Sequence, residues 1–385
     1  MACSPISFLL IYSSLVLPLA FSSQTIDYYF SSIISFGGSL SDTGNLFYYL
    51  HNNCSIAHFP YGITFFHRPT GRHSDGRLIV DFLAEAIGLP FLPPYLAGPA
   101  KHNFQQGVNF AIGGTVAETS FYKENGFPLP NNTFSLHDQL NWFQDMLPIL
   151  CSSLSECEAK LGKSLFIVGA IGGNDYHIAM LKGSSDYEIK TLLVPVMIQA
   201  ISSAIKDLIK YGARTLVVPG NYPVGCLSAS LTCFPREGDY DQKTGCLNWL
   251  NELTELYNQR LHIELQDIQH QHPHVTIFFV DYYGIIMEML QSPKKYGFKD
   301  KPLVACCGGG GPYNYNAYVL CGEGARACDD PSSLVFWDGV HLTEAANKII
   351  ATDLLQVLHV SPSINQQFPH IVKIYDQAQH VSMTV

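Results

Sequence analysis

A three-layer α/β/α sandwich built on a mainly parallel five-stranded sheet is the fold class this sequence predicts, and three observations carry that expectation. Five short apolar runs, rich in β-branched and aromatic residues, are spread along the 385 residues. Segments with apolar residues three and four apart lie between them. No interior linker, repeat or low-complexity tract interrupts the alternation. Strands that are apolar throughout suit parallel pairing with both faces covered, and alternation of strand with helix leads to right-handed crossovers.

The elements follow in order. Ile6 to Ala20 is an uncharged apolar run too short to span a bilayer comfortably, and small residues follow it at Ala20 and Ser22. This pattern predicts a cleaved secretory signal over residues 1–22 and one domain over 23–385. The strands are expected at Ser32–Phe36, Gly107–Ala111, Leu165–Val168, Thr215–Val218 and Val275–Val280. Each ends in Gly, Asn, Pro or Asp. Helical spacing covers Asp75–Ile87, closed by Gly88, and then Ser135–Leu147, Asp186–Tyr211, Leu247–Gln271 and Thr343–Leu358. No later stretch is expected to span a membrane.

Composition narrows the class. With 47% hydrophobic and 14% charged residues the chain can bury a large core, which excludes a disordered or fibrous protein. The net charge of −10 and the lack of any basic run argue against a nucleic-acid partner. Removal of Cys3 with the signal leaves ten of eleven cysteines, an even number that suggests disulfides in an oxidising compartment. Cys151–Cys157 and Cys321–Cys328 are the expected short bridges. Asn53-Cys54-Ser55 and Asn131-Asn132-Thr133 are glycosylation acceptors. No cysteine or histidine spacing suits a metal. The His270-Gln271-His272-Pro273-His274 tract is expected to be a solvated helix end, Gly308–Gly311 a mobile or disulfide-flanked loop, and His177 a packed histidine.

Chemistry should collect where parallel strands end. After the first strand comes Gly37-Gly38-Ser39-Leu40-Ser41-Asp42, a Gly-rich turn that can expose a serine Oγ and aim its N–H outward. After the second comes Gly113-Gly114-Thr115, where the backbone can approach a ligand. After the third comes Gly172-Gly173-Asn174-Asp175, whose Asn amide can donate to an oxyanion. Near the C-terminal end of the chain, Asp338-Gly339-Val340-His341 can put a carboxylate on one imidazole nitrogen while the other faces the serine. Singly, each block is an ordinary turn.

Together, and in this order, the four blocks resemble the plant GDSL esterase/lipase family of the SGNH hydrolase superfamily, from about Ile33 to Leu355. The resemblance implies Ser39 as nucleophile, His341 as general base and Asp338 as its orienting partner. It implies an oxyanion hole from the N–H groups of Ser39 and Gly114 and the Asn174 side chain, with no metal or organic cofactor. Ser74-Asp75-Gly76-Arg77-Leu78, Tyr222-Pro223-Val224-Gly225-Cys226 and Cys306-Cys307-Gly308-Gly309 look like the branch holding sinapine and acetylajmalan esterases. That branch implies a secreted enzyme of the cell wall or vacuole, removing a small acyl group from an alkaloid-, choline- or phenolic-type ester.

One position departs from the family pattern: Gly38 stands where the block normally has Asp. The lost carboxylate and added backbone freedom imply a slower or differently tuned esterase, or an acyltransferase using the same serine. A non-catalytic binding protein on the same fold, and a lipase for long-chain lipid, are the other readings.

Overall fold

The computed structural model describes residues 30–127, 129–130 and 133–358, together with the backbone of 371–373. The segment expected to be a signal, residues 1–22, and the acceptor Asn131 lie outside the described residues. Five parallel strands form where the apolar runs lie: β1 Ser32–Phe36, β2 Gly107–Asn109, β3 Ser164–Val168, β4 Thr215–Pro219 and β5 Thr276–Val280. All but Thr276 are buried, as strands covered on both faces must be. The spatial order is β2-β1-β3-β4-β5, followed by Ile371–Lys373 at the outer edge. That sixth strand is antiparallel, with Val372 opposite Phe279. Three residues beyond the last long helix give no readable strand pattern, which is why the sequence shows five.

The chain leaves β1 in one direction to make β2 and returns on the other side of β1 to make β3. The carboxyl ends of β1 and β3 therefore flank a topological switch point, where crossovers diverge and open a crevice. Ile33 sits level with both Gly107 and Leu165, so the loops that follow these three strands emerge side by side. Helices cover both faces. Leu136–Leu150, Val194–Tyr211 and Asn248–Gln271 pack in succession on one another, and Ile79–Ile87 packs on Glu344–Val357. Phe36, Phe110, Phe143 and Phe166 fill the core near the crevice, with Phe36 stacked on Phe110 at 5.2 Å and edge-on to Phe143 at 5.8 Å.

Several boundaries move for identifiable reasons. β2 stops at Asn109 because the Asn45 side chain takes the carbonyls of Asn109 and Ala111, each at 2.8 Å. The first long helix starts at Ile79, not Asp75, because residues 74–77 bond to the C-terminal turn described below. Its end at Gly88 is as expected, in the left-handed conformation that glycine adopts freely. The helix of residues 186–211 is long and apolar enough to cross a membrane, with mean hydropathy 1.6, contrary to expectation. Its apolar side is spent on packing: Met197, Ile201, Ile205 and Leu208 are buried in the core. Further helices, among them Leu154–Leu161, Gly173–Lys182 and Tyr282–Gln291, lie outside the expected spans.

The disulfides are Cys151–Cys157, Cys226–Cys246, Cys306–Cys328 and Cys307–Cys321. The first was expected; a Cys321–Cys328 bridge was not formed. Cys307 lies in a two-residue strand, Cys307–Gly308, that pairs with Arg326–Ala327, and this pairing brings Cys328 opposite Cys306. Adjacent residues of extended chain point to opposite sides, so the neighbouring cysteines take different partners. Gly308–Gly311 is accordingly flanked by disulfides. Cys54 and Cys233 are free. No metal-binding cluster occurs among the described residues, and the His272 end of the long helix is partly exposed.

One buried ion pair braces the crevice. Arg72 donates through Nε and Nη2 to the two oxygens of Asp81 at 2.7 and 2.6 Å, and through Nη1 to the Thr43 carbonyl at 3.3 Å. Asp81 also accepts the Leu78 N–H at the start of its helix. Its side chain is fully buried, so Asp81→Ala would leave an uncompensated guanidinium in the core. The expected loss is about 3–5 kcal/mol of unfolding free energy, read from urea melts.

Candidate active site

The β1 loop is organised by Asp42. Its Oδ1 accepts the N–H groups of Gly44 and Asn45 at 2.7 and 2.6 Å, and its Oδ2 accepts those of Leu46 and Gly113 at 3.1 and 2.8 Å. One carboxylate thus ties the Ser39 turn to the Gly113-Gly114 turn that follows β2. Burial pushes the Asp42 pKa up to about 6, against the pull of these four donors. Gln139 adds a second tie, donating to the Gly37 carbonyl and accepting the Gly37 N–H at 2.8 and 2.9 Å. Gly37 has φ +147°, and a Cβ there would stand 2.5 Å from the Gly169 carbonyl oxygen. Only glycine allows the β1 and β3 loops to approach so closely.

Asn174 is the second residue of the helix Gly173–Lys182, so it faces the crevice from a helix N-terminus, where the backbone dipole favours negative charge. Its neighbour Asp175 is buried and accepts the Ala117 N–H at 3.0 Å and the Tyr122 hydroxyl at 2.6 Å. Burial lifts the Asp175 pKa to about 6, with those donors opposing it. Asn174 Nδ2 donates to the Thr115 carbonyl at 2.9 Å, which leaves its second N–H for the crevice.

The C-terminal turn reaches the site through non-local bonds. Ser74 donates to the Leu342 carbonyl at 3.0 Å, and Asp75 accepts the Glu344 N–H at 2.7 Å. Glu344 in turn accepts the Arg77 N–H at 2.7 Å and pairs with the Arg77 guanidinium at 2.8 Å. Held this way, His341 Nε2 lies 2.8 Å from Ser39 Oγ, and His341 Nδ1 lies 2.8 Å from Asp338 Oδ2. Burial works to raise the Asp338 pKa. The adjacent His341, and the hydrogen bonds from His341 and Tyr61, outweigh it and hold the carboxyl well below the usual range. The carboxylate fixes the imidazole with Nδ1 as donor and Nε2 as acceptor toward the serine, the arrangement that makes a serine Oγ nucleophilic.

These residues surround a crevice of about 280 Å³ that also exposes Gly114. Ser39, Gly114, Asn174 and His341, predicted from four separate blocks, all line it; Asp338 sits directly behind His341. Sequence reasoning missed His73, Asn221, Tyr222 and Tyr315, which also line the crevice. Tyr222 had a signal, since it follows β4 as the serine turn follows β1. His177, expected to be packed, is instead exposed at the rim with its ring edge-on to Phe234. Among the described residues, no lysine, arginine, aspartate or glutamate side chain lines the crevice.

Residues 33–354 match the family described as GDSL-like lipase/acylhydrolase. The chain belongs to that family. A GDSL esterase/lipase of Arabidopsis thaliana, At1g28610, is 46% identical over 350 residues, covering 89% of this chain and 91% of that protein. A second from the same plant, At1g31550, is 48% identical over 339 residues, covering 86% and 85%. Sinapine esterase of Brassica napus is 46% identical over 346 residues, covering 87% and 88%. With this family and fold, the chain is a GDSL-type serine esterase.

His73 is a titratable group inside this GDSL-type crevice. Burial, and then the nearby His341 ring at 4.7 Å, lower its pKa to about 3. An imidazole kept neutral in the fold contributes stability above its unfolded pKa near 6.5 that is lost as pH falls toward 3. Asp42 and Asp175 contribute with the opposite sign, but both remain in a His73→Gln variant. The stability difference between wild type and H73Q should therefore change by about 1.4 kcal/mol per pH unit between pH 6 and pH 4. Urea melts across that range check it.

Proposed function

We propose that this esterase uses Ser39 to cleave a small acyl group from a specialised-metabolite ester of alkaloid, choline or phenolic type, in the secretory pathway. The observation that carries the reading is His341 held between Ser39 Oγ and Asp338 at 2.8 Å on either side. His341 takes the Ser39 proton as Oγ attacks the ester carbonyl, and Asp338 stabilises the imidazolium that forms. The developing oxyanion is received by the N–H groups of Ser39 and Gly114 and by the free N–H of Asn174. His341 then protonates the leaving alcohol, and water resolves the acyl-serine through the same base.

The crevice favours a small, uncharged acyl group beside Ser39. Tyr222, Tyr315 and His177 offer aromatic faces to the alcohol portion, and such faces serve an aromatic ring or a quaternary ammonium equally. Similarity to sinapine esterase supports a choline or phenolic ester in that place. Four disulfides and the exposed acceptor Asn53 support passage through an oxidising, glycosylating compartment, after loss of residues 1–22 and with 23–385 as one domain.

Two experiments test the reading. A serine-reactive fluorophosphonate should label the wild type and fail to label Ser39→Ala; labelling that survives the substitution removes Ser39 as nucleophile. Asn174→Ala should retain labelling but lose roughly 10²–10³ in kcat on a simple acetyl ester, the usual cost of one oxyanion donor. Incubation with a plant metabolite extract then identifies the ester that disappears.

The glycine at position 38 supports the acyltransferase reading as the alternative. A Cβ at that position meets the Ala170 carbonyl oxygen at 3.7 Å and Asn174 Nδ2 at 3.8 Å, so a side chain fits beside the oxyanion donor. Gly38→Asp should fold and gain about 0.4–1 kcal/mol of unfolding free energy by restricting the unfolded chain, with the same partition between water and an added alcohol. A partition that swings from alcohol to water in G38D favours the transferase.

A further inference from the structure

Asp338 has a second side-chain partner besides His341. The Tyr61 hydroxyl donates to Asp338 Oδ2 at 2.7 Å, the oxygen that also lies 2.8 Å from His341 Nδ1. The other carboxylate oxygen, Oδ1, accepts the backbone N–H groups of Val340 and His341 at 3.1 and 2.9 Å. Tyr61 comes from a loop far away in sequence and belongs to a small second core with Ile56, Trp337 and the Cys306 and Cys307 disulfides. Its ring stands edge-on to Trp337 at 6.0 Å. Trp337 in turn is bonded through its backbone to His341 and Cys307. The ring is thus packed without the hydroxyl, and the hydroxyl is the part that reaches the active-site carboxylate.

We propose that Tyr61 is a positioning residue of this esterase: its phenol shares the Asp338 carboxylate with His341, fixing the carboxylate's rotation and moderating the basicity of the imidazole. His341 Nδ1 lies within 2.9 Å of both Asp338 oxygens, so the imidazole alone does not select between them. The backbone N–H groups of Val340 and His341 hold Oδ1, and the Tyr61 hydroxyl holds Oδ2, so the carboxylate is clamped from both sides. A donated hydrogen bond also withdraws charge from the carboxylate, so less of it is available to stabilise the imidazolium. Tyr61 itself stays protonated: burial pushes its pKa far up, and the Asp338 charge adds to that. It therefore acts as a hydrogen-bond donor to Asp338.

Removing the hydroxyl has two consequences of known sign. The carboxylate gains charge toward His341, so the imidazole holds its proton to a higher pH. It also keeps only the Oδ1 side of its clamp, the Val340 and His341 N–H groups, so fewer molecules hold His341 aligned with Ser39. The other titratable groups around this pair are His73, whose ring is against His341, and Tyr222 and Tyr315, which sense the Asp338 charge. Glu323 and Cys54 act on Tyr61. All of them are unchanged by Tyr61→Phe, which keeps the packed ring.

The inference rests on Ser39 being the nucleophile, and the test separates the two. Loss of fluorophosphonate labelling in S39A examines the nucleophile; the pH dependence of labelling in Y61F examines Tyr61. Labelling rate follows neutral His341 and needs no known substrate. In Y61F the acid limb of the rate profile should move up by roughly half a pH unit to one unit. The plateau rate should fall about threefold to tenfold, with KM for a simple acetyl ester unchanged. Tyr61→Leu, which removes ring and hydroxyl, should move the limb in the same direction, and it provides a second reading if Y61F is poorly folded. An acid limb that does not move up in folded Y61F, whatever the melting temperature does, overturns the proposal.

Discussion

The buried carboxylate of Asp42 is the constraint on which the site depends. Three of its four backbone partners belong to its own turn, and the fourth, Gly113, belongs to the loop after a different strand. A carboxylate that accepts four N–H groups has no lone pair directed elsewhere, so it behaves as a fixed node. The distance between Ser39 and Gly114 is set there, because both turns hang from the same two oxygens. Asn109 adds to this by donating to the Ser41 carbonyl at 2.5 Å from the end of β2. An oxyanion hole made of donors from separate loops works only when their spacing does not relax as charge develops. Asp42 provides that rigidity without touching a substrate.

The other half of the site is assembled by a different logic. Ser39 lies at the end of a core strand, whereas Asp338 and His341 lie on an irregular turn with no strand to position them. Their placement comes from outside the sheet. Ser74, Asp75 and Arg77 bond to residues 342 and 344, and Cys306 and Cys307 of the disulfide-braced second core bond to the backbone of residues 336 and 337. Cys307 donates its N–H to the Trp337 carbonyl at 2.6 Å, and Cys306 donates to Phe336 at 3.0 Å. The disulfides Cys306–Cys328 and Cys307–Cys321 thus close a small cluster against the very turn that carries the base. A turn of four residues cannot bury enough apolar area to hold its own shape. Covalent bridges and an ion pair supply what packing does not.

Much of this was legible in the sequence, and what was not has a common cause. The strands β1 to β5 were readable to within about two residues because parallel strands buried on both faces leave an uninterrupted apolar signature. Ser39, Gly114 and Asn174 were readable because the end of each such strand is where chemistry collects. The start of the helix at Ile79 was misplaced because Ser74, Asp75 and Arg77 have helical spacing yet give their bonds to residues about 270 positions away. The same reason hid Tyr61, which lies in a stretch with no periodicity and gains its role only from a contact 277 positions along the chain. Cys321 was assigned to Cys328 by proximity in sequence, while strand pairing gave Cys328 to Cys306. Local signals were read well, and long-range side-chain bonds were not.

Charge in the crevice bears on what chemistry the serine can do. Asp338 is screened behind His341, and Asp42 and Asp175 face backbone donors, so the carboxylates of this region are turned away from the acyl site. His73 is held neutral beside the imidazole, so it does not repel the imidazolium as strongly as a charged neighbour would. In the proposed reaction the positive partners of the developing oxyanion are then partial charges: two loop amides, one side-chain amide and a helix N-terminus. Such dipoles are oriented before substrate arrives and cost nothing to reorganise when charge appears. They also exert little attraction on a substrate that carries no charge at its carbonyl. In the proposed reaction, binding draws on the aromatic and apolar walls around Tyr222, Tyr315 and Leu227, and catalysis on the dipoles around Ser39. A site divided in this way lets the alcohol portion of the substrate vary while the reaction stays the same.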